Sequence, residues 1–353
     1  MNEVEFQSLK QIVLSKDPSD KNLARQLLQG QKITQKEFLT RWGLYQAGIK
    51  TFGTLRTFYY DRVDIHSKKL LNVEFLADFP HINFLNLSKN KLNHLQGLDR
   101  LKKIYFLDIS NNPLSDIAAI SALTKIISLV ANNTLIENIS PLQKWDNLRD
   151  LNLAKSKKID FNPLKGINSL KNLSIQQSKE VDWASMDNLQ IEELNCWETG
   201  NLYSNKMPYL PQLRRLLAQK NKLSELEFIL INKKINFLDI SNNPIKNINV
   251  CAQMENLIEL KGYNCGIDSL TNWENSQLKF LHLDNNNIAN VKGLSGLKNL
   301  QVLTIENNPV QNFAALLACS GLKCIRADKV SRQEHELFSK ELPNCSFYVK
   351  ELL

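Results

Sequence analysis

The chain has 353 residues, 43% hydrophobic and 23% charged, a globular balance that excludes disordered and collagen-like classes. No apolar run of about 18 residues occurs, so no membrane-spanning helix is expected. Twelve glycines leave little material for phosphate-cradling loops, and the net charge of +8 raises nucleic acid or an anionic membrane as partners, to be decided by where the charges lie.

Residues 1–54 read as a helical N-terminal cap. Glu3 to Leu14 is amphipathic and Asp20 to Leu28 follows Asp17-Pro18 and stops at Gly30. Thr34-Gln-Lys-Glu37 is a capping box opening a third helix through about Ala47. Met1 to Lys16 has no apolar signal core.

From residue 55 to 330 one pattern repeats, L-x-x-L-x-L-x-x-N-x-L. The octapeptide Phe106 to Pro113 recurs unchanged as Phe237 to Pro244. The asparagine position reads Lys68, Asn90, Asn112, Thr134, Ser156, Ser178 and Thr199, then Asn221, Asn243, Cys265, Asn286, Asn308 and Val330. Steps are 22 residues, two of them 21, which gives 13 repeats with atypical ends. Leucines at pattern positions 4 and 6 alternate with polar residues, predicting a short strand with one buried face. The expected fold class is an α/β repeat solenoid: a right-handed superhelix with a concave parallel sheet and short 3₁₀ or extended convex segments. Asn90, Asn112, Asn221, Asn243, Asn286 and Asn308 are expected to be structural turn residues, because an amide both donates to and accepts from backbone left unpaired by the turn.

Residues 331–353 read as a C-terminal cap, with a helix from Ser331 to Glu341 and a final edge strand from Leu342 to Val349.

The pattern is identified as that of the leucine-rich-repeat family. The repeat length, with Ile136-Glu-Asn-Ile-Ser-Pro-Leu142, resembles the bacterial internalin and phosphatase-regulator class. That resemblance implies gently curved repeats with extended convex segments and says little about the partner.

No Walker motif, GxSxG, HExxH or CxxC occurs, and the five histidines are scattered. The chain therefore reads as no enzyme, with no cofactor and no metal. The six cysteines read as reduced thiols in a cytoplasmic protein.

Pattern positions 3, 5, 7 and 8 point away from the core. They carry eight basic and ten acidic residues, not the continuous basic stripe that nucleic acid wants. A protein partner is expected instead, with no nucleic acid and no membrane, and the chain is expected to be monomeric. By register Trp145, Trp183 and Trp273 are core, whereas Trp197 lies on the concave surface. Leu217, Phe237 and Tyr263 run beside it, with Glu193 and Arg215 as rim. Phe84, Phe106 and Val130 form a second cluster. Exposed aromatics flanked by charge suit a protein-binding face. The reading is an interaction scaffold; alternatives are an internalin-type secreted or surface adhesin, and a regulatory subunit of an enzyme such as a phosphatase.

Overall fold

A computed structural model describes residues 1–200, 202, 207–274 and 277–352. Leu353, which ends the expected C-terminal cap, lies outside the described residues. The chain divides into two compact units, Met1–Asn152 and Leu153–Leu353.

The first unit opens with α1 (Glu3–Leu14), α2 (Pro18–Gly30) and α3 (Gln35–Arg41). Their starts follow from sequence. Asn2 and Thr34 form capping boxes with Glu5 and Glu37, and the Asp17 side chain accepts from the Ser19 N–H with Pro18 at the first helical position. α3 stops at Arg41 instead of running to Ala47. Gly43 and Gly48 take φ of 84° and 94°, a left-handed backbone that ends a helix and suits glycine. Phe38 meets Phe6 and Trp42 edge to face at 5.1 and 5.7 Å, and Trp42 stacks on Phe79 at 6.3 Å. These helices thus share an aromatic core with the first repeats. Lys10 is buried there, its Nζ 2.6 Å from Oδ2 of Asp78.

Five three-residue strands follow in this unit: β1 (Arg62–Asp64), β2 (Phe84–Asn86), β3 (Phe106–Asp108), β4 (Ser128–Val130) and β5 (Asp150–Asn152). They pair parallel in chain order, aligning Val63, Leu85, Leu107, Leu129 and Leu151, all buried. The second unit continues with β6 (Asn172–Ser174), β7 (Glu193–Asn195), β8 (Arg215–Leu217), β9 (Phe237–Asp239), β10 (Glu259–Lys261), β11 (Phe280–His282), β12 (Val302–Thr304) and β13 (Cys324–Val330). These also pair parallel in chain order, leucine to leucine as far as Leu303, which faces Ile325 of β13. Both units therefore have the repeat-solenoid architecture expected from the sequence. No single repeat buries its own leucines, so each strand's apolar face is covered only by stacking.

Between strands the chain returns through short 3₁₀ turns, several started by an Asp or Asn. Asp116 Oδ1 accepts from Ala118 N at 2.8 Å, Asn138 from Ser140 N at 2.9 Å and Asn290 from Lys292 N at 2.7 Å. The two 21-residue steps leave the sheet undisturbed, since Leu173 still faces Leu194 and Leu260 faces Leu281. The missing residue is lost from the return arc.

At the C-terminal end α4 (Arg332–Glu341) uses Ser331 as its cap, through the Glu334 N–H. The last strand, β14 (Ser346–Leu352), begins later than Leu342 and pairs parallel with β13. Phe347 meets Phe313 and Phe338 edge to face.

The turn asparagines bind across repeats. Asn90 Oδ1 accepts from Lys68 N and Leu70 N at 2.9 and 3.1 Å, and Nδ2 donates to Ile65 O and Leu87 O at 3.0 and 2.8 Å. Asn112, Asn221, Asn243, Asn286 and Asn308 likewise donate from Nδ2 to backbone carbonyls and accept at Oδ1 from backbone N–H groups. Substitutes do less: Thr134 Oγ1 donates to Ala131 O at 2.9 Å, and Cys265 Sγ to Ile240 O at 3.3 Å.

Candidate protein-binding face

Four rows of side chains lie opposite the buried leucines. The first row precedes the central strand leucine, the second follows it, and the third and fourth occupy the turn. The fourth row has left-handed backbone from repeat to repeat, with φ from 51° at Asn264 to 60° at Asn285. Asparagine tolerates that region better than most residues, which explains its frequency there. Its side chains form short ladders: Asn133 Nδ2 donates to Asn111 Oδ1 at 2.9 Å, and Asn264 Nδ2 to Asn242 Oδ1 at 3.0 Å. The repeat pattern predicts ordinary outward strand positions here; the left-handed backbone makes them turn positions instead.

The expected site residues fall into two patches, one in each unit. In the first unit the Phe84 and Phe106 rings stack at 4.3 Å and 5°. The guanidinium of Arg62 covers the other side of Phe84 at 4.1 Å. Val130 is half-buried. Tyr105 and Ile127, which no feature of the repeat pattern singles out, are 38% and 43% exposed. They sit one residue before the strand, where the pattern carries no hydrophobic requirement.

In the second unit Trp197 is half-buried, with Lys220 Nζ 5.3 Å from its ring. Trp42, Trp145, Trp183 and Trp273 are all buried. Leu217 and Tyr263 are half-buried. Phe237 differs from expectation: it is 7% exposed. Arg215 lies over its ring at 3.9 Å and Lys261 at 5.2 Å, so cations from the two neighbouring strands cover it. Arg215 also reaches Glu193, Nε to Oε2 at 2.9 Å. Glu193, Arg215 and Phe237 thus form one run across β7, β8 and β9.

Further along, the Tyr263 and His282 rings lie 5.9 Å apart. His282 Nδ1 is 3.2 Å from Thr304 Oγ1, which donates to Asp284 Oδ2. Burial, with Lys261 assisting against the opposing pull of Glu259, holds the His282 pKa below the usual histidine range. Burial, then the Asp284 and Asp239 carboxylates, raises the Tyr263 hydroxyl. Asp239 is 8% exposed and accepts from Gln219 Nε2 at 2.7 Å. Among the described residues no group of three or more His, Cys, Asp or Glu is placed to hold a metal ion.

The family model "Leucine Rich repeats (2 copies)" matches residues 276–318. No curated protein matches the sequence. Among solved structures the chain resembles an internalin of Listeria monocytogenes, at 22% identity over 84% of this chain and 82% of that one, TM-score 0.58. It also resembles a leucine-rich-repeat protein of Leptospira interrogans, at 17% identity over 83% and 97%, TM-score 0.56. A third is the ectodomain of the Arabidopsis thaliana receptor kinase GASSHO1/SCHENGEN3 in complex with CASPARIAN STRIP INTEGRITY FACTOR 2, at 17% identity over 80% and 40%, TM-score 0.55. At these identities the likeness is one of fold, and folds of this kind generally serve as protein-interaction scaffolds with extended binding surfaces. The repeat sequence, the stacked parallel strands and these matches make the chain a leucine-rich-repeat protein.

Proposed function

We propose that the chain is a non-catalytic scaffold that holds a protein partner against the concave side of its repeat sheet. The observation that carries this reading is Trp197: half-buried on the outward rows, while each other tryptophan is buried. A rigid aromatic with charged neighbours Glu193, Arg215 and Lys220 has the composition of an interaction hot spot. The Arabidopsis ectodomain, solved with its bound factor, supports the same use of the fold by analogy. The six unbridged cysteines support a reducing compartment, and we place the protein in the cytoplasm as a monomer.

The test is capture of the partner from the source cell, followed by affinity measurement with Trp197→Ala. A loss of about 2 kcal/mol or more, roughly 30-fold, supports the reading. Full retention of affinity with unchanged circular dichroism refutes the role of this patch.

A further inference from the structure

In the first unit the backbone ladder runs one residue past the strands on their entry side. Tyr105 N donates to Asn83 O, Ile127 N to Tyr105 O and Arg149 N to Ile127 O, each at 2.8 Å. Tyr105, Ile127 and Arg149 therefore stand side by side on successive repeats, with their backbones about 4.8 Å apart. Alternation along the chain adds a second column. Ile104 and Ile126 are buried, so Lys103 and Lys125 share the exposed side with Tyr105 and Ile127. Asn147 continues that column, and its Nδ2 donates to Thr124 O at 3.0 Å.

This edge is apolar at its centre and positive around it. Tyr105 and Ile127 are 38% and 43% exposed. Residues 102–105, 124–127 and 146–149 carry four cations, Lys102, Lys103, Lys125 and Arg149, against one carboxylate, Asp146. All four cations are exposed, and among the described residues none of them makes an ion pair. The corresponding edge of the second unit supplies its own partners. Lys171, at the position of Arg149, reaches Glu192 on the next repeat, Nζ to Oε1 at 3.1 Å. Lys234, at the position of Lys103, donates from Nζ to Gln212 Oε1 at 2.7 Å. Ile258, at the position of Ile127, is half-buried.

Two exposed apolar side chains rimmed by unpaired cations complement a segment with carboxylates around an apolar side chain. A single-stranded nucleic acid would need faces for its bases to stack on, and Ile127 offers none. We propose that this edge docks an acidic segment of a protein partner, with an apolar side chain seated on Tyr105 and Ile127 and carboxylates on Lys103, Lys125 and Arg149. This rests on the reading that the chain binds protein, but it shares no residue with the Trp197 patch, so the failure of either leaves the other standing.

The test is fluorescence anisotropy, with the full chain titrated into a labelled glutamate-rich peptide that has a central Leu-Trp pair. The comparison probes are an all-glutamate peptide, a lysine-rich counterpart, oligothymidylate and phosphatidylserine vesicles. The expected result is saturable binding of the first peptide, several-fold weaker binding of the all-glutamate peptide and none of the lysine-rich one. Lys103→Glu combined with Lys125→Glu lowers affinity on the order of tenfold. Tyr105→Ser combined with Ile127→Ser lowers it several-fold, and circular dichroism is unchanged in both. Lys157→Glu combined with Lys158→Glu, the same change of net charge on exposed lysines of the second unit, leaves affinity unaltered. Should the first charge pair lower the thermal midpoint, Arg149→Glu replaces it as the charge variant. Absence of saturation, an equal loss from the Lys157 and Lys158 pair, or full affinity in either the charge or the apolar variant overturns the proposal. Tighter binding of oligothymidylate or of the vesicles also overturns it and assigns the edge to nucleic acid or to membrane.

Discussion

The backbone N–H of Asn221 donates to Oδ1 of Asn243 at 2.7 Å. The turn of one repeat is thus completed by the side chain of the next, and the bond that holds a repeat in place belongs partly to its neighbour.

Asn243→Ala follows from this directly. The side chain is 2% exposed. Its Nδ2 donates to Ala218 O at 3.0 Å and Ile240 O at 2.7 Å, and its Oδ1 also accepts from Leu223 N at 3.1 Å. Removing it strands several buried backbone groups at about 1–3 kcal/mol each. We expect a loss of roughly 3 kcal/mol or more in urea denaturation. An unchanged midpoint would contradict the bonding described.

Asp78→Ala tests how the N-terminal helices are fastened. Asp78 Oδ2 accepts from Lys10 Nζ at 2.6 Å and from Trp42 Nε1 at 2.8 Å. The Lys10 side chain is only 9% exposed, so removing its partner leaves an unpaired buried cation. Such a change costs about 3–5 kcal/mol, whereas Lys10→Met, which removes the charge instead, costs much less. Equal destabilisation by the two variants in thermal melts would mean that packing, not charge, dominates there.

Thiol accessibility separates the cysteines. Cys196, Cys251, Cys265 and Cys319 are buried, and Cys324 and Cys345 are half-buried. Burial pushes the Cys196 and Cys251 thiols up to about 12 and those of Cys265 and Cys319 up to about 11. A thiol reagent at neutral pH should find no more than two in the native protein and six after denaturation. The sign for stability follows. These thiols stay protonated when folded but ionise near 9 when unfolded, so their contribution is full below pH 9 and lost as pH rises toward 11–12. Denaturation midpoints should fall across that window, and Cys251→Ala should flatten the fall. A midpoint independent of pH between 9 and 11 would count against the burial.

Trp197 gives an optical test. Iodide should quench one emitter in the native protein, and Trp197→Phe should remove that fraction. Quenching that persists in the variant would place another tryptophan at the surface.

The period of the leucines made the strands legible, because register alone decides which face is buried. Trp145, Trp183 and Trp273 were sorted into the core on that basis and are buried. The capping box at Thr34 marked the start of α3 in the sequence, whereas the Asn2–Glu5 box that opens α1 emerged only in the structure. What register does not report is a neighbour's reach. Phe237 sits in an outward row, yet Arg215 and Lys261 fold over it; the residue 22 positions earlier held the clue. The left-handed fourth row was hidden for another reason. Lys89, Lys155 and Lys220 occupy it as well as asparagine, so residue type alone does not mark it.

The two 21-residue repeats carry a consequence for chain engineering. Each lost a residue without moving a strand leucine, so the return arcs behave as slack while the sheet stays phase-locked. A fluorophore or affinity tag grafted at Gly166, where an added Cβ meets nothing within 4 Å, would report on a bound partner from the opposite surface, because length added to an arc leaves the order of the displayed side chains unaltered.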